Sequence, residues 1–173
     1  MNINTLTIKA QELLREAMTV AQSRRQQSLE PLHILAAAIA EDESLSCHLR
    51  GRVGVNIKAI RGEVTEAIER LPRVEGAAGD VFFSRESSAV VQAAVDLTRT
   101  FSDRYASVEH LLVAVAKERG AARDILRRNG VDHNQLIAAI KELRKGATID
   151  SESDELEFDA LGKKLDAGYE LAE

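Results

Sequence analysis

The 173-residue sequence has no tryptophan, one cysteine and two prolines. A lone Cys47 cannot close an internal disulfide, so packing alone must hold the fold, in keeping with a reducing compartment. The scarcity of proline and tryptophan favours helices over an all-β fold. No apolar run exceeds the seven residues 34–40, against the roughly 20 that a bilayer-spanning helix needs, so no membrane partner is expected. Met1-Asn2-Ile3-Asn4-Thr5 offers neither the basic start nor the apolar stretch of a secretory signal, and the expected location is the cytoplasm. The sequence also lacks any His-x-x-x-His or Cys-x-x-Cys pair. Cys47 and His48 are adjacent, which on a helix turns them about 100° apart, so no zinc site is expected. Cys47 has no positioned acid or glycine-rich elbow that would make it a nucleophile.

What is present is an ordinary globular composition, 45% hydrophobic and 29% charged, enough for one domain plus an extension. The net charge of −5 is unevenly placed: residues 147–173 hold nine acidic and two basic side chains, and the remainder is nearly neutral. That distribution lacks the basic stripe of a nucleic-acid binder, and no nucleic-acid partner is expected.

Helical periodicity dominates the chain, and strand alternation is missing. Thr7 caps a predicted helix to about Arg24, with Leu13, Leu14, Ala17, Met18 and Ala21 on one face. Pro31 opens a second, carrying Leu32, Leu35 and Ile39. A short helix at 44–50 precedes one capped by Asn56 that turns Ile57, Ile60, Val64, Ala67, Ile68 and Leu71 inward. The second half repeats the scheme. Ser84 caps a helix bearing Val90, Val91, Ala94, Val95 and Phe101; Ser107 caps one bearing Leu111, Leu112 and Val115. A short helix at 121–128 follows, and Asp132 caps the last, with Leu136, Ile137, Ile140 and Leu143 inward.

A shift of 77 superposes Thr7 on Ser84, Leu13-Leu14 on Val90-Val91, Met18 on Val95 and His33 on His110; a shift of 76 superposes Gly54-Val55-Asn56 on Gly130-Val131-Asp132. Caps fall on caps and core on core. The predicted fold is therefore all-α: two tandem four-helix repeats (1–75 and 80–146) packed as one pseudo-twofold helical domain. Each repeat alone has a small core for its length, so the two should pack together. Residues 147–157 read as an acidic linker, and 158–173 as the start of a further helix leading toward a segment that lies beyond this sequence.

The tandem repeat, with Glu30-Pro31-Leu32-His33-Ile34-Leu35 opening a helix in one copy and Val108-Glu109-His110-Leu111-Leu112 in the other, resembles the amino-terminal domain of the Clp ATPases. Arg70-Leu71-Pro72-Arg73-Val74-Glu75-Gly76, Gly79-Asp80 and Thr7-Ile8-Lys9-Ala10-Gln11 look most like its ClpB disaggregase branch. That resemblance implies a domain that engages unfolded or aggregated polypeptides and feeds them to a homo-hexameric ring, which uses ATP and magnesium and works with the DnaK chaperone system. No Gly-x-x-x-x-Gly-Lys-[Ser/Thr] cradle occurs here, so no cofactor is expected in this chain and no ATP hydrolysis by it. The family's client-engaging polar positions match Thr7, Asp103 and Glu109, and its apolar groove positions, which more often carry leucine, match Val91 and His110. Two other functions stay open: an adaptor-docking domain of a protease-coupled Clp unfoldase, which would share the architecture, and, more remotely, a helical DNA-binding regulator.

Overall fold

The computed structural model describes residues 3–40, 55–75, 79–144 and 148–152. After a single 3-10 turn at Ile3–Thr5, Thr7 adopts an extended backbone and its hydroxyl accepts the Ala10 N–H (3.1 Å), opening α1 (Ile8–Ser23). Helix α2 (Pro31–Ala40) begins at proline, whose missing N–H would be unpaired there in any case. Asn56 caps α3 (Ile57–Glu69), and Ser84 caps α4 (Arg85–Asp96) by accepting the Ser87 N–H (3.0 Å). A one-turn α5 (Thr98–Phe101) leads to α6 (Val108–Lys117), α7 (Ala121–Arg128) and α8 (His133–Arg144), where Asp132 accepts the Gln135 N–H (2.9 Å). The helix expected at 44–50 lies outside the described residues.

Two features depart from the sequence reading. Phe101 does not continue the helix capped by Ser84: that helix ends at Asp96, and Phe101 closes α5. The Thr98 hydroxyl donates to the Val95 carbonyl (2.6 Å), a local side-chain bond that competes with the regular ladder. The fold also contains parallel pairing, Ser28–Leu29 (β1) with Phe82–Phe83 (β2), and an isolated bridge from Leu6 to Ala106. Strands two residues long are too short for any alternation to be read.

These bridges display the duplication. Leu6 pairs with Ala106 and Phe83 with Leu29; adding 77 to Leu6 gives Phe83, and adding 77 to Leu29 gives Ala106. The Thr7 N–H reaches the Ala106 carbonyl (2.9 Å) just as the Ser84 N–H reaches the Leu29 carbonyl (3.0 Å). Each seam therefore joins the start of one half to the middle of the other. The turns after α1 and α5 match too: Arg25 and Ser102, again 77 apart, both sit in the left-handed region at φ 57° and 58°.

Helices α2 and α6 pack on each other at the centre, and both are apolar nearly all round, as an enclosed helix must be. Around them α1 and α3 pack on α2, α4 and α8 on α6, and α3 reaches across to α7. Ile34, Leu35, Leu111 and Leu112 are fully enclosed, and each contributes about 1.5–3 kcal/mol by leaving water.

Candidate functional site

The site grows from the first turn of α6. Ser107 precedes the helix, and its backbone N–H donates to His110 Nδ1 (2.9 Å), which ties the ring back over the turn. With Nδ1 accepting, Nε2 carries a ring proton, and that atom lies 2.8 Å from Asp103 Oδ2. Asp103 Oδ2 also accepts from Arg144 Nη1 (2.5 Å), and Asp103 Oδ1 accepts the Ile149 N–H (2.7 Å). The Asp103 and His110 side chains are fully enclosed, and that of Arg144 is 3% exposed. Burial on its own would push the Asp103 carboxyl up; the hydrogen bonds from His110, Arg144 and the Ile149 amide, with the Arg144 charge, outweigh it and hold the group below its ordinary range. Phe101 meets the His110 ring edge to face at 5.3 Å, and the Arg144 guanidinium lies 4.9 Å from the Phe101 centroid.

The same arrangement exists in the other half in neutral form. The Glu30 N–H donates to His33 Nδ1 (2.9 Å), His33 Nε2 bonds Gln26 Oε1 (2.7 Å), and Gln26 Nε2 donates to the Ile68 carbonyl (2.7 Å). Gln26 and Asp103 are 77 apart, and Ile68 and Arg144 are 76 apart. Burial, reinforced by the nearby Arg24 charge, lowers the His33 pKa to about 4, so this ring is neutral at pH 7.

The five residues expected at the site are all enclosed. Thr7 is the α1 cap, Asp103 and His110 touch each other, and Glu109 accepts a hydrogen bond from the Ser107 hydroxyl. Val91 is 1% exposed and lies in the core on α4. Thr7, Asp103, Glu109 and His110 thus border one seam, whereas Val91 belongs to the packing behind it. The sequence reading did not single out Arg144, Ile149 or Gln26. Gln26 was within reach of the repeat itself, since the spacing that aligns His33 with His110 also aligns Gln26 with Asp103. Arg144 had only its position in the last turn of a helix, where a cation normally serves the dipole. Among the described residues no three His, Cys, Asp or Glu side chains converge to hold a metal ion, and no helix is long and apolar enough to cross a membrane.

Comparison with known proteins agrees with this architecture. The model of the Clp repeat N-terminal domain matches residues 5–129, and the chain belongs to that family. Among curated proteins, the chaperone ClpB of Porphyromonas gingivalis is 39% identical over 163 residues, covering 94% of this chain and 19% of its own length. The chaperone ClpB of Bacteroides thetaiotaomicron is 37% identical over the same share. This chain therefore spans about a fifth of the curated relatives it matches. The Hsp104 N-terminal domain of Candida albicans superposes with a TM-score of 0.75 at 22% identity, over 86% of this chain and 97% of that one. A ClpV N-domain solved in complex with a VipB peptide superposes at 0.64 and 14% identity, over 87% and 92%. At those identities the two structures speak for the fold.

Proposed function

We propose that this chain is the client-engaging amino-terminal domain of a ClpB-type disaggregase, acting in the cytoplasm, which holds unfolded or aggregated polypeptide and passes it to an ATP-driven hexameric ring working with a DnaK-type system. The observation that carries the reading is the ClpB similarity running over 94% of the chain, well beyond the helical repeats. The seam supports it. Thr7, Asp103, Glu109 and His110 shape the surface between the two halves from beneath, with Val91 packed behind, so we assign them to building the client surface rather than to exposed contacts.

A titration tests the reading. Fluorescently labelled, reduced and carboxymethylated α-lactalbumin, which is permanently unfolded, should bind this chain, while the native oxidised form should not. Equal binding of both forms, or of neither, would defeat the proposal.

A second reading, docking of a folded adaptor to a protease-coupled Clp ATPase, draws on the similarity to the N-terminal domain of ClpD, a caseinolytic-protease-associated chaperone from Arabidopsis thaliana (TM-score 0.62, 25% identity). Under it, a folded protein would bind and the unfolded probe would not.

A further inference from the structure

Ile149 is 2% exposed, yet it lies outside the contiguous apolar core that the helices share. It belongs to a short non-helical strap, residues 148–152, that lies across the seam just described. The Ile149 N–H donates to Asp103 Oδ1 (2.7 Å) and its carbonyl accepts the Arg104 N–H (2.8 Å), so one loop answers both polar groups of one residue. Three residues on, the Glu152 carbonyl accepts the Ile8 N–H (3.2 Å), one of the amides that the start of α1 leaves without a helical partner. Asp150 and Glu152 are exposed on either side of the half-buried Ser151, while Ile149 points inward.

We propose that the surface beneath this strap, formed by Asp103, Arg104 and the first turn of α1, is a docking site for a non-helical polypeptide segment carrying a branched aliphatic side chain, and that residues 148–152 are its resident occupant. The recognition consists of backbone groups and the burial of one aliphatic side chain, so it tolerates many sequences. A folded protein has its amides and carbonyls already paired and its aliphatic residues enclosed; an unfolded one offers both. The inference rests on the client-engaging function proposed above and adds its regulation: a client must displace a tethered competitor. Tethering places the strap at high effective concentration, and the apparent client affinity falls by the fraction of molecules in which the site is open.

The test uses the whole chain and its Ile149→Asp variant, which removes the aliphatic anchor at a position outside the main core. The I149D chain should bind the carboxymethylated α-lactalbumin about tenfold more tightly than the unaltered chain, the helical circular dichroism being unchanged. A labelled synthetic peptide of residues 147–153 should bind the I149D chain and compete with the unfolded probe, and the same peptide with aspartate in place of isoleucine should do neither. In the unaltered chain, adding the probe should speed hydrogen exchange at the Ile149 amide, a measurement that does not depend on any variant folding. Equal probe affinity of the two chains, or failure of the peptide to compete, overturns the inference while leaving the client function standing. Peptide binding without probe binding defeats the client function, and with it the strap's regulatory role. An Ile149 amide undisturbed by saturating probe also overturns the proposal.

Discussion

Replacing Asp103 by Gln and Arg144 by Ile rebuilds, in the second half, the neutral arrangement that Gln26 and Ile68 already provide in the first. Each single substitution is expected to be severe. Asp103→Gln leaves the Arg144 guanidinium, 3% exposed, without its carboxylate, and breaking a buried pair from one side costs about 3–5 kcal/mol. Arg144→Ile leaves an enclosed carboxylate supported by His110 and the Ile149 amide alone, and it also removes the guanidinium from the Phe101 face, a contact worth about 1 kcal/mol. Against a total stability of about 5–15 kcal/mol, either change removes a large share of what holds the domain folded.

The double variant has no buried charge to leave stranded. A glutamine at 103 can bond His110 through its carbonyl, as Gln26 bonds His33, and donate to the backbone at 144, as Gln26 donates to Ile68. What it cannot replace is the acceptor for the Ile149 amide, about 1 kcal/mol, and the contact of Arg144 with Phe101, about as much again. The double variant should therefore lie within about 2 kcal/mol of the unaltered chain although the singles sum to about 6 or more, a coupling of at least about 4 kcal/mol. Urea denaturation at neutral pH, followed by helical circular dichroism, measures all four corners of the cycle. Additive losses, or singles that cost under about 1 kcal/mol each, would refute the equivalence of the two networks.

Two further outcomes follow from the same geometry. The His33 pKa of about 4 in the folded chain lies below its unfolded value of 6.5, so the unfolded state takes up the proton first as the pH falls. Stability from this group is complete above pH 6.5, declines by about 3 kcal/mol between there and pH 4, and is level below; His33→Gln should remove that portion of the slope in a pH series of denaturation curves, and an unaltered slope would contradict it. Thr7→Ala and Ser84→Ala each delete the hydroxyl that accepts an amide at a helix start, and each should cost about 1 kcal/mol, Thr7 at least as much because it is wholly enclosed. The losses should add in the double variant.

The helices and their order were legible because their determinants are local. Thr7, Asn56, Ser84 and Asp132 carry the side-chain acceptors that helix starts need, and all four cap where the pattern of apolar residues placed them. The repeat could pair Gln26 with Asp103, but the distant partners of both were illegible for the opposite reason. No periodicity says that Gln26 will turn inward to meet Ile68, 42 residues away, or that Asp103 will meet Arg144, 41 residues away. Leu97 interrupts the second repeat where its counterpart runs on, because a threonine hydroxyl at 98 finds a nearby carbonyl, a choice that helix propensity does not resolve. Of the residues taken over from the family pattern, Asp103 and His110 meet, and Thr7 and Glu109 flank them on the same seam, while Val91 packs in the core.

The divergence of the two halves at one position has a geometric consequence. An amide side chain offers one acceptor oxygen and one donor nitrogen, and Gln26 commits the first to His33 and the second to the Ile68 carbonyl. A carboxylate offers two acceptor oxygens, so Asp103 engages His110 and Arg144 through one and still has the other for the Ile149 amide. The cation at 144 makes the buried carboxylate tolerable, since burial would otherwise favour its neutral form. In the first half the backbone after α3 is held differently, by the Val74 N–H on the Arg25 carbonyl. Of the two equivalent networks, the one in the half from which the strap leaves carries an enclosed charged pair, and the second oxygen of its carboxylate is what allows a third hydrogen bond. The seam is therefore coupled to the path of the chain beyond α8 through a single carboxylate: whatever displaces residues 148–152 leaves Asp103 one bond short and must supply an N–H in return.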